Sequence, residues 1–212
     1  MMKYAIIPII IGMLALSVPP AEAALITIEI TAEVDSVRDE ANYLDGQINV
    51  GDIITGTYTY DSDTTDSNPL STLGRYEHYA PPCGISLSVG GFDFETDTTN
   101  VDFLVAIANN YASGGIQDGY LLISYNNLPL SNGTLVDLIS WQLDDPTATA
   151  LSSDALPTTP PVLDDWQSIV GLRLQGERME SYLIDAHVTS AVPEPTSVLL
   201  FALGILLLRK RN

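Results

Sequence analysis

Cysteine and basic residues are scarce in this sequence of 212 residues. Cys83 is the only cysteine, so no disulfide can form within one chain. Lysine and arginine together number 8, against 27 aspartate and glutamate residues, and the formal net charge is −19. Such a charge repels phosphate backbones, which argues against nucleic acid as a partner; divalent cations and neutral glycans remain electrostatically compatible.

The sequence also lacks the motifs of common hydrolases and zinc enzymes. It contains no G-x-S-x-G nucleophile elbow, no H-E-x-x-H motif and no cluster of cysteine and histidine. Its two histidines, His78 and His187, lie in different segments, and no patterned partner accompanies either one. We therefore expect no catalytic residues and a protein that is not an enzyme.

Long hydrophobic runs occur only at the two ends of the chain. One lysine precedes a first apolar run over residues 4–18, and two prolines follow that run. The small residues Ala21 and Ala23 then satisfy the small-x-small rule for cleavage by signal peptidase. We predict that residues 1–23 are a signal peptide and that the mature chain begins at Ala24. The alternative is an uncleaved anchor, which the short run and the prolines disfavour.

The second apolar run, residues 196–208, lies at the C-terminus. As a helix it would reach about 20 Å, against about 30 Å for the hydrocarbon core of a bilayer, so it can enter a membrane but spans it poorly. Arg209, Lys210 and Arg211 follow at once and are expected to stay on the cytoplasmic side. Everything between the two runs is then exported.

The tripeptide Pro193-Glu194-Pro195 stands just before this run. Its prolines remove backbone donors and disfavour helix, which predicts an extended segment that neither strand nor helix absorbs and that an enzyme can grip. With its tripeptide, single hydrophobic helix and basic tail in that order, the segment 192–212 resembles the PEP-CTERM sorting signal. The alternative is a plain C-terminal anchor in which the tripeptide is only a linker.

The resemblance implies that an exosortase recognises the tripeptide. Exosortases are membrane-embedded, transpeptidase-like proteases of Gram-negative bacteria that make extracellular polysaccharide. The catalytic residues of the processing step would belong to that enzyme, and this chain would be its substrate. We therefore divide the chain into a signal peptide, an exported domain over residues 24–190 and a sorting signal over residues 191–212.

The exported domain is dominated by alternation of apolar and polar residues, which is typical of half-buried β-strands. Outside the two ends no segment has the pattern of an amphipathic helix. Many short strands without intervening helices predict one antiparallel β-sandwich or jelly roll, with a barrel as the alternative. The predicted strands are residues 25–34, 53–61, 85–89, 92–94, 101–108, 120–125, 136–143, 168–174 and 182–189.

Three features of the domain suggest sites. Asp61, Asp63 and Asp66 are a candidate calcium site, because hard cations prefer several oxygen ligands, although acidic residues after a strand also form turns. Trp166 lies in a polar, proline-rich loop and is predicted to be an exposed ring for stacking on a glycan, whereas Trp141 lies in an apolar strand and is predicted to be core. Cys83 is expected in a loop, where folding should not need it.

Three functions remain open from the sequence. The first is a non-enzymatic envelope or matrix protein, handed to the cell surface by an exosortase and held in the inner membrane before processing. The second is a lectin-like module that binds the cell-surface polysaccharide. The third is a secreted hydrolase, which would need carboxylates facing each other across a cleft, about 5 to 10 Å apart.

Overall fold

The computed structural model describes residues 24–112, 117–177 and 181–194. The predicted signal peptide with Ala21 and Ala23 lies outside the described residues. So do Pro195, the second apolar run and the basic residues Arg209, Lys210 and Arg211.

The described chain forms ten β-strands and one short 3-10 turn, at Leu163–Asp165, and contains no α-helix. The all-β prediction is therefore confirmed. The strands are β1 (Leu25–Arg38), β2 (Ile53–Asp61), β3 (Leu73–His78), β4 (Gly84–Val89), β5 (Phe92–Glu95), β6 (Phe103–Tyr111), β7 (Gln117–Ser124), β8 (Val136–Asp145), β9 (Ser168–Gly176) and β10 (Leu183–Pro193).

Sequence reasoning missed β3. In this strand Gly74, Tyr76 and His78 point inward and alternate with Leu73, Arg75 and Glu77. A glycine and a histidine are weak markers of an apolar face, so the period of two is hard to recognise there.

All ten strands belong to one antiparallel sheet with the order β3-β6-β7-β8-β9-β10-β1-β2-β4-β5. The expected sandwich would have two separate sheets, whereas here hydrogen bonds link every strand into one curled sheet. At its two bulges, between Thr31 and Ala32 and between Val34 and Ser36, β1 departs from regular pairing with β10. Bulges bend a strand and increase its twist, which allows a single sheet to curl around its own core.

The core lies on the inward face of the curled sheet. In β1 the inward residues Ile28, Ile30, Ala32 and Val34 are buried, as their alternation predicted. At the centre is a cluster of rings in edge and stacked contacts, and Trp141 is fully buried in it. The core prediction for Trp141 is thus confirmed.

The long loop between β8 and β9, residues 146–167, closes over part of this core. The hydroxyl of Tyr60 donates to the carbonyl of Pro157 at 2.8 Å, and the hydroxyl of Tyr76 donates to the carbonyl of Asp154 at 2.9 Å. The same loop inserts Leu156 and Trp166 among the buried residues. Tyrosines from the sheet thus hold a loop that looks unstructured in the sequence.

The C-terminal sorting segment and the candidate surface sites

The end of β10 contains the first residue of the Pro-Glu-Pro tripeptide. In the β1–β10 register, Pro193 lies opposite Ile28 and Val192 lies opposite Glu29. Beyond the strand, the backbone N–H of Glu194 donates to the carbonyl of Thr27 at 3.1 Å. The prediction that no strand absorbs this segment is therefore wrong for Pro193, and β10 crosses the predicted domain boundary between residues 190 and 191.

The antiparallel hydrogen-bond pattern explains why a proline is tolerated here. Opposed residues alternate between pairs that exchange hydrogen bonds and pairs that do not. Because Glu194 bonds to Thr27, the adjacent Pro193 occupies a non-bonded pair, and its nitrogen faces away from β1. On that far side β9 pairs with β10 only over Leu183–Ala186. No ladder hydrogen bond is lost, as is usual for prolines at free strand edges.

The side chains of this segment remain accessible although its backbone is paired. Val192 is 44% exposed, and Pro193 and Glu194 are exposed as well. Ala191 is half-buried and lines an open recess together with residues 160–164. The segment thus presents its side chains to solvent while one backbone edge is held by β1.

Both ends of the described chain lie at the same end of the sheet. The carbonyl of Ala24 accepts hydrogen bonds from the N–H and the hydroxyl of Ser62, at 3.0 and 2.9 Å. Three residues later, Thr27 contacts Glu194. The predicted start of the mature chain and the sorting tripeptide are therefore neighbours.

The acidic loop after β2 does not assemble a cation site. An oxygen of Asp61 accepts the N–H of Asp63 at 3.0 Å, and an oxygen of Asp66 accepts the N–H groups of Asn68 and Arg75, both at 2.8 Å. Within the described ranges, no three His, Cys, Asp or Glu side chains come together in a way that could hold a metal ion. These carboxylates shape turns, so the structure gives the calcium prediction no support.

Trp166 is not the exposed ring that the sequence suggests. Its side chain is 6% exposed, and it makes an edge contact with Tyr120, whose ring centre lies 6.5 Å away. The expectation of exposure is wrong because the loop over residues 146–167 turns this ring inward. Among the other aromatic side chains, Tyr120 and Trp141 are buried, Tyr111 is half-buried and Tyr125 is 43% exposed.

The structure instead reveals a surface groove that sequence reasoning missed. One recess is lined by Tyr43, Leu135 and Glu177, among others, and a second recess shares Leu135 and Glu177 and adds Tyr125 and Asp137. Tyr43 and Tyr125 are each 43% exposed. We call these joined recesses the tyrosine groove. No sequence signal marks it, because its residues come from four separate loops and strand ends.

The loop that carries Tyr43 is fixed by polar contacts. The carboxylate of Asp39 accepts the N–H groups of Tyr43 and Leu44 at 2.7 and 2.8 Å. The side-chain amide of Asn132 donates to the carbonyl of Tyr43 at 2.8 Å. One wall of the tyrosine groove is therefore held in place before any ligand binds.

Two carboxylates are completely buried, at the paired ends of β7 and β8. Asp118 lies opposite Asp145 in the register. Asp118 accepts the N–H groups of Asn110 and Leu151, both at 2.8 Å. Asp145 accepts N–H and hydroxyl donors from the residues just after it, and the bonds from Thr147 and then Thr149 lower its pKa. Both groups anchor loops of their own chain.

The histidines and the cysteine also have structural environments. Burial lowers the pKa of His78, with Asp61 opposing that shift, and its Nδ1 lies 3.2 Å from the hydroxyl of Thr64. His187 pairs with Asp35 on the surface at 2.7 Å. Cys83 is 6% exposed within the core, and burial raises its pKa. The expectation that folding does not need Cys83 assumed an exposed thiol, and the thiol is buried.

Comparison with known proteins identifies the C-terminal segment. Residues 191–211 match the family model of the PEP-CTERM protein-sorting motif, so the chain carries the signal of an exosortase substrate. The chain matches no curated protein. It also matches no solved structure. None of the helical turns in the described ranges is long and apolar enough to cross a bilayer.

Proposed function

We propose that this protein is a non-enzymatic component of the cell envelope or extracellular matrix, delivered to the surface of a Gram-negative bacterium by an exosortase. The observation that carries the proposal is the PEP-CTERM motif at residues 191–211. The predicted signal peptide over residues 1–23 supplies the export step that the motif requires. Signal peptidase and exosortase are then its processing enzymes, and cell-surface polysaccharide is its expected surrounding.

The proximity of the first and last described residues supports this route. Before processing, both apolar runs are expected to lie in the inner membrane with the domain between them on its outer side, because each run is flanked by basic residues that stay in the cytoplasm. A folded domain can be joined to both runs only if its two ends face the same membrane. The contact between Thr27 and Glu194 brings the two ends together, as that arrangement needs.

The exosortase step would break one peptide bond near Pro193. The acyl group of the retained chain is transferred to water or to an amine acceptor, and the released tail gains a new amino terminus. No catalytic group of this chain is required for that chemistry. The roles of Asp118 and Asp145 as acceptors for backbone donors also favour a non-enzymatic domain, because such carboxylates have few lone pairs left for a substrate.

The route is tested by intact mass of the protein from membrane, surface and medium fractions of an exosortase-bearing host. In the wild type we expect a mature chain that begins at Ala24 and lacks Arg209 to Asn212. Replacing Glu194 and Pro195 together by alanine should leave an exported chain that keeps its tail. The matched control replaces Glu40 and Pro69 by alanine, since these are exposed residues outside the motif. A mature, cell-associated wild type with an intact tail would contradict the proposal.

A lectin-like function is the second candidate, and the tyrosine groove favours it. Exposed tyrosines can stack on the apolar faces of sugar rings while asparagine and carboxylate groups bond to hydroxyls. Tyr43 and Tyr125 provide such rings, and Asn126, Asp137 and Glu177 line the same recesses. A neutral polysaccharide is the compatible ligand class, because the acidic surface repels polyanions.

Affinity electrophoresis in gels that contain the host's polysaccharide tests this candidate. If the groove binds glycan, Tyr43→Ala and Tyr125→Ala should each weaken retardation about two- to tenfold. Tyr79→Ala is the control, since Tyr79 is 66% exposed and does not line the groove. Equal migration of all three variants and the wild type would reject the lectin function without affecting the sorting proposal.

A further inference from the structure

The last residues of β10 pair with a neighbouring strand along one edge only. Leu183–Ala186 pair with β9 on one edge and with β1 on the other, whereas from His187 onward β10 pairs, among the described residues, with β1 alone. The final contacts are Pro193 opposite Ile28 and the hydrogen bond from Glu194 to Thr27. The sorting tripeptide thus begins on a free strand edge that is attached to the first strand of the domain.

The pairing with β1 occupies one backbone edge of the segment that an exosortase must recognise. Proteins that recognise extended peptides commonly bond to the backbone edge as an added strand. At Glu194 the N–H on the edge facing β1 is already bonded to Thr27. The edge that faces away from β1 offers no N–H at Pro193, because proline has no such donor. Recognition through backbone donors therefore competes with β1.

We propose that β1 controls access of the exosortase to the sorting motif. The enzyme acts on the form of the folded protein in which Pro193 and Glu194 have separated from Ile28 and Thr27. The strength of the β1–β10 pairing at these residues then sets the rate at which the tail is removed. This inference rests on the exosortase processing proposed above.

The structure allows the end of β10 to separate from β1 without unfolding of the rest of the domain. Strand ends with few buried contacts open independently of the rest of a protein. Val192, Pro193 and Glu194 are all exposed, so separating them from β1 uncovers little apolar surface at these side chains. β1 itself stays in place during the opening, because its other edge pairs with β2 from Leu25 to Glu33.

Charge at Thr27 tests the proposal without altering the motif. Thr27 is the residue opposite Glu194, and like charges on opposed residues weaken strand pairing whereas unlike charges strengthen it. We expect Thr27→Lys to slow tail removal and Thr27→Glu to speed it, with about a two- to tenfold difference between them. Both changes remove the same hydrogen bond between the hydroxyls of Thr27 and Thr59. The difference between the two rates of tail removal therefore measures the effect of the charge alone.

The measurement is a pulse-chase of the full-length protein in an exosortase-bearing host, with tail loss followed by intact mass. Thr55→Lys and Thr55→Glu are the matched controls, because Thr55 is an exposed residue of β2 that lies opposite Thr31 and Ser88. These two variants should process like the wild type. Equal rates for the two Thr27 variants would overturn the proposal. A wild type that never loses its tail would instead refute the processing itself.

A disulfide across the same strands gives an independent test. Ile30 lies opposite Ala191, two residues from the Pro193 pair, and is therefore another non-bonded pair with the short separation that suits a cross-strand disulfide. In Ile30→Cys with Ala191→Cys, we expect the oxidised precursor to keep its tail and the reduced precursor to lose it. The Ala191→Cys and Ile30→Cys single variants control for the two substitutions, the second of which changes a buried core residue. Tail loss at equal rates with and without reductant, once the disulfide is verified, would overturn the proposal.

Discussion

Asp118 and Asp145 show how single residues hold the loops of this protein. Each lies near the end of a strand and is completely buried; Asp118 accepts backbone N–H groups from the end of β6 and from the loop after β8, and Asp145 accepts them from that same loop. Asp39 and Asp66 do the same on the surface. Part of the strong acidic bias of the sequence therefore serves folding, because carboxylate oxygens are acceptors without donors of their own and match exposed N–H groups in turns.

Asp145→Asn should change the acid sensitivity of the fold. Hydrogen bonds lower the pKa of Asp145 in the folded state, so its stabilising contribution is present above the unfolded value of about 4 and is lost as the pH falls towards the folded value. We expect the variant to be less stable than the wild type at pH 7, and the difference to shrink as the pH falls below about 4. Urea unfolding at several pH values measures this.

Asp144→Asn is the control for that experiment, since Asp144 is only half-buried and bonds to the side chain of Gln142. Its difference from the wild type in the free energy of unfolding at pH 7 should be smaller than that of Asp145→Asn. A constant difference for Asp145→Asn across the acid range would contradict the assigned role.

Cys83→Ser tests whether burial of the thiol matters. The side chain is 6% exposed and belongs to the core cluster. Burying a hydroxyl costs more free energy than burying a thiol, even though the backbone of Asp61 offers a hydrogen bond here, so we expect a loss of about 1–3 kcal/mol in the free energy of unfolding. Cys83→Ala separates the lost packing from the added polarity. Unchanged urea midpoints for both variants would show that the site tolerates polarity and a small cavity.

At the scale of elements, β1 is the strand that pairs with both the second and the last strand of the domain. It pairs with β2 on one edge and with β10 on the other, and so joins the beginning of the described chain to its end. β10 in turn connects β1 to β9 and the second half of the sheet. The pairing of the first strand with the last needs the whole intervening chain to fold, so the sorting tripeptide is attached to β1 only in a complete domain.

Truncation tests where the domain ends. A chain over residues 24–190 follows the boundary suggested by the sequence, and a chain over residues 24–194 keeps the contacts of Val192 and Glu194 with β1. We expect the shorter chain to be less stable by about 1–3 kcal/mol, because it loses the terminal hydrogen bonds of the ladder. Urea unfolding of both chains measures the difference. Identical midpoints would place the functional boundary at residue 190.

At the scale of the whole molecule, the acidic excess is distributed over a domain with few compensating charges. In the described part of the chain, Arg75 pairs with Glu77 at 2.7 Å and Arg173 pairs with Asp185 at 2.8 Å, both on the surface. Exposed pairs of this kind contribute little to stability. Repulsion among the remaining carboxylates is expected to destabilise the compact, folded state. This effect depends on the total charge of the domain and not on any one site.

Added salt should therefore stabilise the protein. Raising NaCl from about 0.01 M to about 0.15 M shortens the Debye length from about 30 to about 8 Å and weakens the repulsion, so the melting temperature should rise. CaCl2 and MgCl2 at equal concentrations should raise it equally, because Asp61, Asp63 and Asp66 do not converge. A rise specific to calcium would restore the calcium prediction.

Local patterns made several features readable from the sequence. The alternation in β1 predicted a strand that the structure contains, because a period of two depends only on neighbouring residues. The sorting motif was recognisable for a similar reason, since it is a contiguous segment that its processing enzyme reads as such. Export, the all-β class and the identity of the C-terminal signal follow from this kind of information.

Contacts between distant segments decided the rest. Trp166 is buried because a long loop folds back over the sheet, and the tyrosine groove exists because four separate segments meet. Pro193 looked incompatible with a strand, since proline lacks a backbone donor. It is accommodated because its position in the pairing with β1 requires no donor and β9 ends its pairing at Ala186. The sequence by itself determined which sorting signal this protein carries, and the tertiary structure decided how the start of that signal pairs with the fold, because only long-range strand pairing specifies which backbone groups are already bonded.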